Sequence, residues 1–179
     1  MLFTKITRVF VSLILTLTLL TGCQDRSRFS FDFETEDILD TLPWKCKTFF
    51  SLSKKHATSG QKSLKIELYP SPYPGITLNK FNPNWSNFNV LKFDVYNEEQ
   101  IPLRLAIRID DKKDPSYSDR YRHAIILNTG MNNISIPLNT LHTSGTDRNI
   151  NHSSIQSVTF FLVQPKEKRI IYIDNIRLE

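Results

Sequence analysis

The chain has 179 residues, 40% of them hydrophobic and 23% charged, with a formal net charge of +5. That length suits one domain and is short for two. The basic excess is spread along the chain without a long Lys/Arg block, a distribution that argues against nucleic acid as a partner.

The first segment has the layout of a secretion signal. Lys5 and Arg8 give a short positive head, Val9–Leu20 form an apolar run broken only by small hydroxyl residues, and Thr21 and Gly22 are small enough for a peptidase groove. The run is about a dozen residues, whereas a helix crossing the bilayer core needs about 20. Residues Leu20-Thr21-Gly22-Cys23 resemble the lipobox of bacterial lipoproteins. The resemblance implies that residues 1–22 are a cleaved signal peptide and that Cys23 is lipidated (palmitate among its acyl groups). The chain would then sit in the bacterial cell envelope, extracytoplasmic and lipid-anchored. Each buried acyl CH₂ contributes about 0.8 kcal/mol, so several chains on one cysteine hold a protein to its membrane. A cleaved signal without lipid, leaving Cys23 an ordinary thiol, is the competing reading. Gln24 follows Cys23 where Asp would resemble an inner-membrane retention signal, so an outer-membrane address is favoured if the host has one.

Residues 23–30 then read as the lipidated cysteine and a polar tether, and residues 31–179 as the domain. Setting aside Lys5 and Arg8 lowers the formal charge of +5 by two. With Cys23 committed to lipid, Cys46 has no intramolecular partner and reads as a small buried apolar residue, so no disulfide framework supports the fold.

From Phe31 onward the hydrophobic period is two. Leu64–Leu68, Leu91–Tyr96, Leu103–Ile109, Tyr121–Leu127, Asn133–Leu138, Val158–Val163 and Arg169–Leu178 are predicted strands. The clearest puts Leu103, Leu105, Ile107 and Ile109 on one face and Arg104, Ala106 and Arg108 on the other. Ser59-Gly60, Pro70–Gly75, Asn97–Gln100, Asp110–Asp119 and Thr129-Gly130 supply turns between them. No long stretch has a helical period, although Leu138–Leu141 could form one turn, and Thr143–Asn151 reads as a polar loop. Seven or more half-buried strands predict an all-β fold, a single β-sandwich or jelly roll in which each strand buries one face against the opposite sheet.

Several segments in order carry a family resemblance. They are Phe31-Asp32-Phe33-Glu34, Trp44, Ala57-Thr58-Ser59-Gly60, Lys62–Ile66, Trp85–Asp94, Asn132–Leu138 and Ile171–Leu178. Together they resemble the carbohydrate-binding-module type of galactose-binding-like β-sandwich, and the related domain of complex I assembly factors. In such modules a structural calcium ion often ties the first strand to the last. The resemblance assigns the metal positions to Glu34 and Asp174, with carbonyls around Ser59 and Lys62 completing the oxygen set that Ca²⁺ needs. Asp32 is an alternative to Glu34, since a one-residue register shift exchanges faces. The bland alternative is a solvated Glu34 and an Asp174 that caps a turn.

The resemblance also implies a glycan ligand, held either on a sheet face or in loops at the sandwich edge. Candidate ligand-binding residues are Asp94, Tyr96, Arg104, Arg108 and Tyr121, with Trp85 in the polar loop NPNWSNFN as a stacking platform. The strand faces opposite the core also offer Arg120 and Arg122, with Tyr121 and His123 on the alternate parity, and Tyr69 and Tyr73 are weaker platform candidates. Arginine forks suit carboxylates and vicinal hydroxyls, so the face favours an acidic or heavily hydroxylated ligand. Charged residues on an outer sheet face also simply keep a sandwich soluble, and a loop tryptophan also plugs the open end of a core; Trp44 reads as core.

The sequence carries no recognisable catalytic motif. His56, His123, His142 and His152 lack HExxH spacing, and there is no GxSxG elbow and no glycine-rich phosphate cradle. Asp110, Asp111, Asp114 and Asp119 read as a solvated loop. The expectation is a membrane-anchored, non-catalytic carbohydrate-binding-type module. The alternative is an accessory or assembly lipoprotein that uses the same sandwich to contact a protein ligand.

Overall fold

The computed structural model describes residues 29–179, apart from the side chains of Trp44 and Lys45. The signal segment, the lipobox and Cys23 lie outside the described residues. The described chain folds into two sheets in which every pairing is antiparallel. The first contains β1 (Ser30–Phe31), β3 (Thr48–Ser53), β4 (Ser63–Leu68), β6 (Val90–Asn97), β9 (Gly130–Pro137) and β11 (Arg169–Leu178). Its order is β3-β4-β11-β6-β9, with β1 paired to β11. The second contains β2 (Trp44–Lys45), β5 (Gly75–Leu78), β7 (Leu103–Asp110), β8 (Tyr121–Leu127) and β10 (Ser157–Phe161), in the order β2-β5-β10-β7-β8. This is the predicted all-β sandwich.

The alternation places the core. Leu103, Leu105, Ile107 and Ile109 of β7 are buried, as are Leu64, Ile66 and Leu68 of β4 and Leu91, Phe93 and Val95 of β6. Phe93 meets Phe160 of β10 edge-on at 5.0 Å between ring centroids, joining the two sheets. Each such side chain contributes about 1.5–3 kcal/mol by leaving water. Phe29, Phe31, Phe81 and Trp85 close one part of the core in edge-on or tilted contacts of 4.9–6.4 Å. Phe29 is buried and Ser30 pairs with Arg177, so the packed body takes in the last two residues of the predicted tether.

Three departures from the sequence reading have local causes. β5 lies where a turn was predicted to end; its four residues are all buried, so no alternation marks them. β3 is an edge strand whose Phe49 points to solvent, which blurs its period. Cys46 is exposed rather than buried, because it occupies the turn between β2 and β3 at a φ of 57°. The single turn at Leu138–Thr140 is present as a 3₁₀ turn, and a six-residue 3₁₀ segment spans Glu36–Thr41.

Candidate functional site: an arginine-lined groove on the second sheet

The register of the second sheet builds a groove on its outer face. Cross-strand partners share a face. Ala124 pairs with Ala106, Ala106 with Phe161, and Phe161 with Gly75. The adjacent row runs Arg122, Arg108, Thr159 and Thr77, and on the other side Ile126 stands opposite Arg104. A row holding two alanines and a glycine between taller rows leaves a depression of about 760 Å³. It crosses three strand spacings, or roughly 14 Å. Gly75 is required by a close approach, since a Cβ there would stand 2.1 Å from the carbonyl oxygen of Phe160.

The walls mix guanidinium groups with aromatic rings. Arg108 donates from Nε and Nη2 to Asp110 Oδ2 at 2.9 and 2.5 Å. Arg120 donates to the Pro115 carbonyl at 3.0 and 2.6 Å. Arg122 lies over the Tyr117 ring, 3.6 Å from its centroid, a cation–π contact that contributes about 0.5–2 kcal/mol. Its Nε is buried without a hydrogen-bond partner. Arg104 is exposed. Tyr73 meets Phe161 edge-on at 5.9 Å, and the rings of Tyr73 and Tyr117 are 53% and 68% exposed, open for stacking.

A clamp behind the wall fixes the loop that carries Tyr117 and Arg120. Arg148 donates from Nη1 and Nη2 to Asp111 at 2.7 and 3.0 Å, and from Nε and Nη2 to Asp119 at 2.9 and 2.8 Å. Lys112 adds a 2.6 Å bond to Asp119. The acidic loop is therefore not simply solvated, since Asp110 and Asp111 are both buried. Burial pushes the Asp111 carboxyl up, but the Arg148 fork and the Asn151 N–H more than offset it and hold it below its ordinary value.

Of the predicted ligand-binding residues, the structure gathers Arg104 and Arg108 in this groove, together with Arg120, Arg122, His123 and Tyr73, which the sequence reading also offered. Asp94 and Tyr96 lie on β6, in the other sheet. Asp94 is buried and accepts hydrogen bonds from Thr58 Oγ1 (2.7 Å), Asn133 Nδ2 (2.7 Å) and Asn175 Nδ2 (3.1 Å). Tyr96 is covered by the His56 ring, stacked at 3.5 Å. Tyr121 pairs with Ile109 on the core side, and burial pushes its phenol up. Trp85 is 0% exposed and belongs to the core, so it offers no stacking surface. The sequence reading missed Tyr117 and Phe161; Tyr117 sits in what read only as a charged turn.

The two positions assigned to calcium form another kind of tie. Glu34 Oε1 accepts the N–H groups of Gln61 and Lys62, both at 2.8 Å. Those two bonds, Lys62 first, hold its carboxyl below the ordinary value. Asp174 Oδ2 accepts the N–H groups of Thr58 (2.6 Å) and Ser59 (2.9 Å), and Oδ1 that of Asn175 (2.7 Å). Calcium needs six to eight oxygens turned towards it. Here the 58–62 turn presents N–H hydrogens to separate carboxylates, a donor set for anions. The residues as placed do not fit an ion bridging Glu34 and Asp174. No group of three or more His, Cys, Asp and Glu placed to hold a metal occurs among the described residues.

No protein-family profile and no curated protein matches the chain. Solved structures do. An exo-beta-agarase aligns with a TM-score of 0.67 at 18% identity, over 83% of this chain and 25% of that one. The family 11 carbohydrate-binding module from Clostridium thermocellum, in complex with a beta-1,3-1,4-mixed-linked tetrasaccharide, aligns at 0.59 and 15% identity, over 76% of this chain and 86% of the module. The CBM22-1 xylan-binding domain from Paenibacillus barcinonensis aligns at 0.53 and 16% identity, over 83% and 92%. The chain thus spans about a quarter of the agarase and most of each binding module. Its fold is the β-sandwich of carbohydrate-binding modules.

Proposed function

We propose that this chain is a non-catalytic glycan-binding lipoprotein of the bacterial cell envelope, held by acyl groups on Cys23 and receiving its ligand in the groove over β8, β7, β10 and β5. The observation that carries this reading is the groove itself. A floor of Ala124, Ala106 and Gly75, with the Phe161 ring among them, runs between guanidinium forks and exposed tyrosine rings. Rings of this kind accept the C–H faces of pyranoses, while planar arginine forks hydrogen-bond paired oxygens. The ligands of the two similar modules, a mixed-linked tetrasaccharide and xylan, support a glycan here. No acidic side chain lines the groove, whereas glycoside hydrolysis ordinarily uses two carboxyl groups. The lipobox-like Leu20–Cys23 supports the anchor, and Gln24 supports an outer-membrane address.

Two experiments test the reading. Full-length chain in a neutral detergent is titrated calorimetrically with xylan, mixed-linked β-glucan, agarose and polygalacturonate; at least one binds, and Tyr117→Ala weakens that binding while the chain stays folded. Absence of binding to every glycan overturns the reading. For the anchor, cells fed labelled palmitate incorporate label into the chain, and Cys23→Ser abolishes the label and releases the chain from membranes. Equal membrane retention without label refutes lipidation.

A further inference from the structure

The described residues include seven arginines. Arg148, Arg169 and Arg177 pair with Asp111, Glu99 and Glu179, and Arg108 pairs with Asp110. The three without a carboxylate, Arg104, Arg120 and Arg122, all line the groove. The lysines on the surface of the first sheet are matched in the same way, Lys65 and Lys168 with Glu67 and Lys92 with Glu179. Among the described residues, guanidinium groups without a carboxylate partner are thus confined to this groove.

That place carries a built-in repulsion as well. Arg108 and Arg122 stand directly opposite each other across β7 and β8, and like charges in that position are destabilising. Asp110 relieves only Arg108, and the buried Arg122 Nε has no partner. A groove for neutral sugars needs acceptors as well as donors, because every hydroxyl is both. Here the walls present guanidinium donors, with the His123 ring and the Tyr73 and Tyr117 hydroxyls beside them, and no carboxylate lines the space.

Building on the glycan-binding reading above, we infer that the groove selects anionic glycans, with carboxylate or sulfate groups seated on Arg104 and Arg122. The aromatic rims align the chain, and the acid groups supply the counter-charge that the protein itself leaves out. Bidentate, charge-assisted contacts of this kind are about twice as strong as neutral hydrogen bonds.

The test is calorimetry on full-length chain in neutral detergent with four probes: polygalacturonate for carboxylate, ι-carrageenan for sulfate, mixed-linked β-glucan as the neutral glycan and an oligothymidylate as a non-glycan polyanion. One of the anionic glycans binds at least about tenfold more tightly than the β-glucan, and the stronger arm identifies the acid group. Arg104→Gln and Arg122→Gln each lower that affinity by about tenfold, the loss of a contact to a charged group; the exposed Arg104→Gln keeps the native melting curve, and Arg122→Gln, which also loses the Tyr117 contact, stays folded. Binding also weakens as salt is raised from 0.1 M to 1 M, which shortens the Debye length from about 10 to about 3 Å. Neutral β-glucan binding as tightly as the anionic glycans overturns this inference and leaves glycan binding intact. Anionic binding unchanged in both arginine variants overturns it in favour of diffuse charge, and oligothymidylate binding as tightly as either polysaccharide overturns selection of a glycan. No binding to any polysaccharide refutes the underlying function as well.

Discussion

Replacing Arg148 by Met removes the clamp behind the groove wall without changing the volume of the side chain greatly. Asp111, whose side chain is 1% exposed, then keeps the Asn151 N–H at 2.7 Å and its own backbone N–H, but its charge loses its bidentate partner. An exposed ion pair contributes at most about 1 kcal/mol, and breaking a fully buried one costs about 3–5 kcal/mol. Arg148 is itself one-third exposed, so the expected loss lies between those limits, roughly 2–3 kcal/mol. For a domain of this size that lowers the melting midpoint by roughly 4–12 °C. The pH dependence gives a second readout. In the native chain the Asp111 carboxyl is held below its ordinary value of 3.8, so its stabilising contribution is present above that value and fades as pH falls through the depressed one. In Arg148→Met burial dominates and raises the carboxyl, so the variant regains stability relative to the native chain as pH falls from neutrality towards about 5. Thermal and urea unfolding across that range, with Asp111→Asn/Arg148→Met to close a double-mutant cycle, measures both. A single variant within about 0.5 kcal/mol of native, or one with the native pH slope, would refute the reasoning.

The other predictions concern the remaining parts of the molecule. A chelator leaves the melting midpoint where it was, because hydrogen bonds already tie the 58–62 turn to Glu34 and Asp174; a reproducible fall that added calcium reverses would restore the metal reading. Trp85→Phe costs about 1–3 kcal/mol of stability through lost core volume and leaves glycan affinity unchanged, whereas altered affinity in a folded variant would return Trp85 to the site. Glu67 is held down to about 2 by Lys168 and then Lys65. Its contribution, at most about 1 kcal/mol per exposed pair, is therefore present above pH 4.5 and fades towards pH 2; Glu67→Gln flattens that part of the acid-unfolding curve, and an unaltered curve counts against the pairing.

Alternation along a strand states which side chains leave the core, and it did so correctly for Arg104 and Arg108 on β7. Asp94 and Tyr96 on β6 share the same local signature, yet they face out from the opposite sheet under the His56–Ser59 loop. A period of two carries no information about which sheet a strand joins. The groove depends on that missing information, because its floor exists only when Ala124, Ala106, Phe161 and Gly75 from four strands fall into one row. Tyr117 was illegible for a different reason. Its position over Arg122 is set by ion pairs between residues 29 and 37 apart in sequence. Trp85 admitted two readings in the sequence, and only its neighbours Phe29 and Phe81 decide for the core.

The last strand, β11, lies in the interior of its sheet between β4 and β6, and β1 pairs with it too. Until residues 169–178 arrive, β4 and β6 have no common neighbour and Phe31 has no strand to pair with. Closure of the first sheet therefore waits on long-range pairing to residues 169–178, and non-local β pairing forms slowly. The hairpins β3–β4 and β7–β8 pair without that strand, but the two halves of the first sheet are joined only from within, by β11.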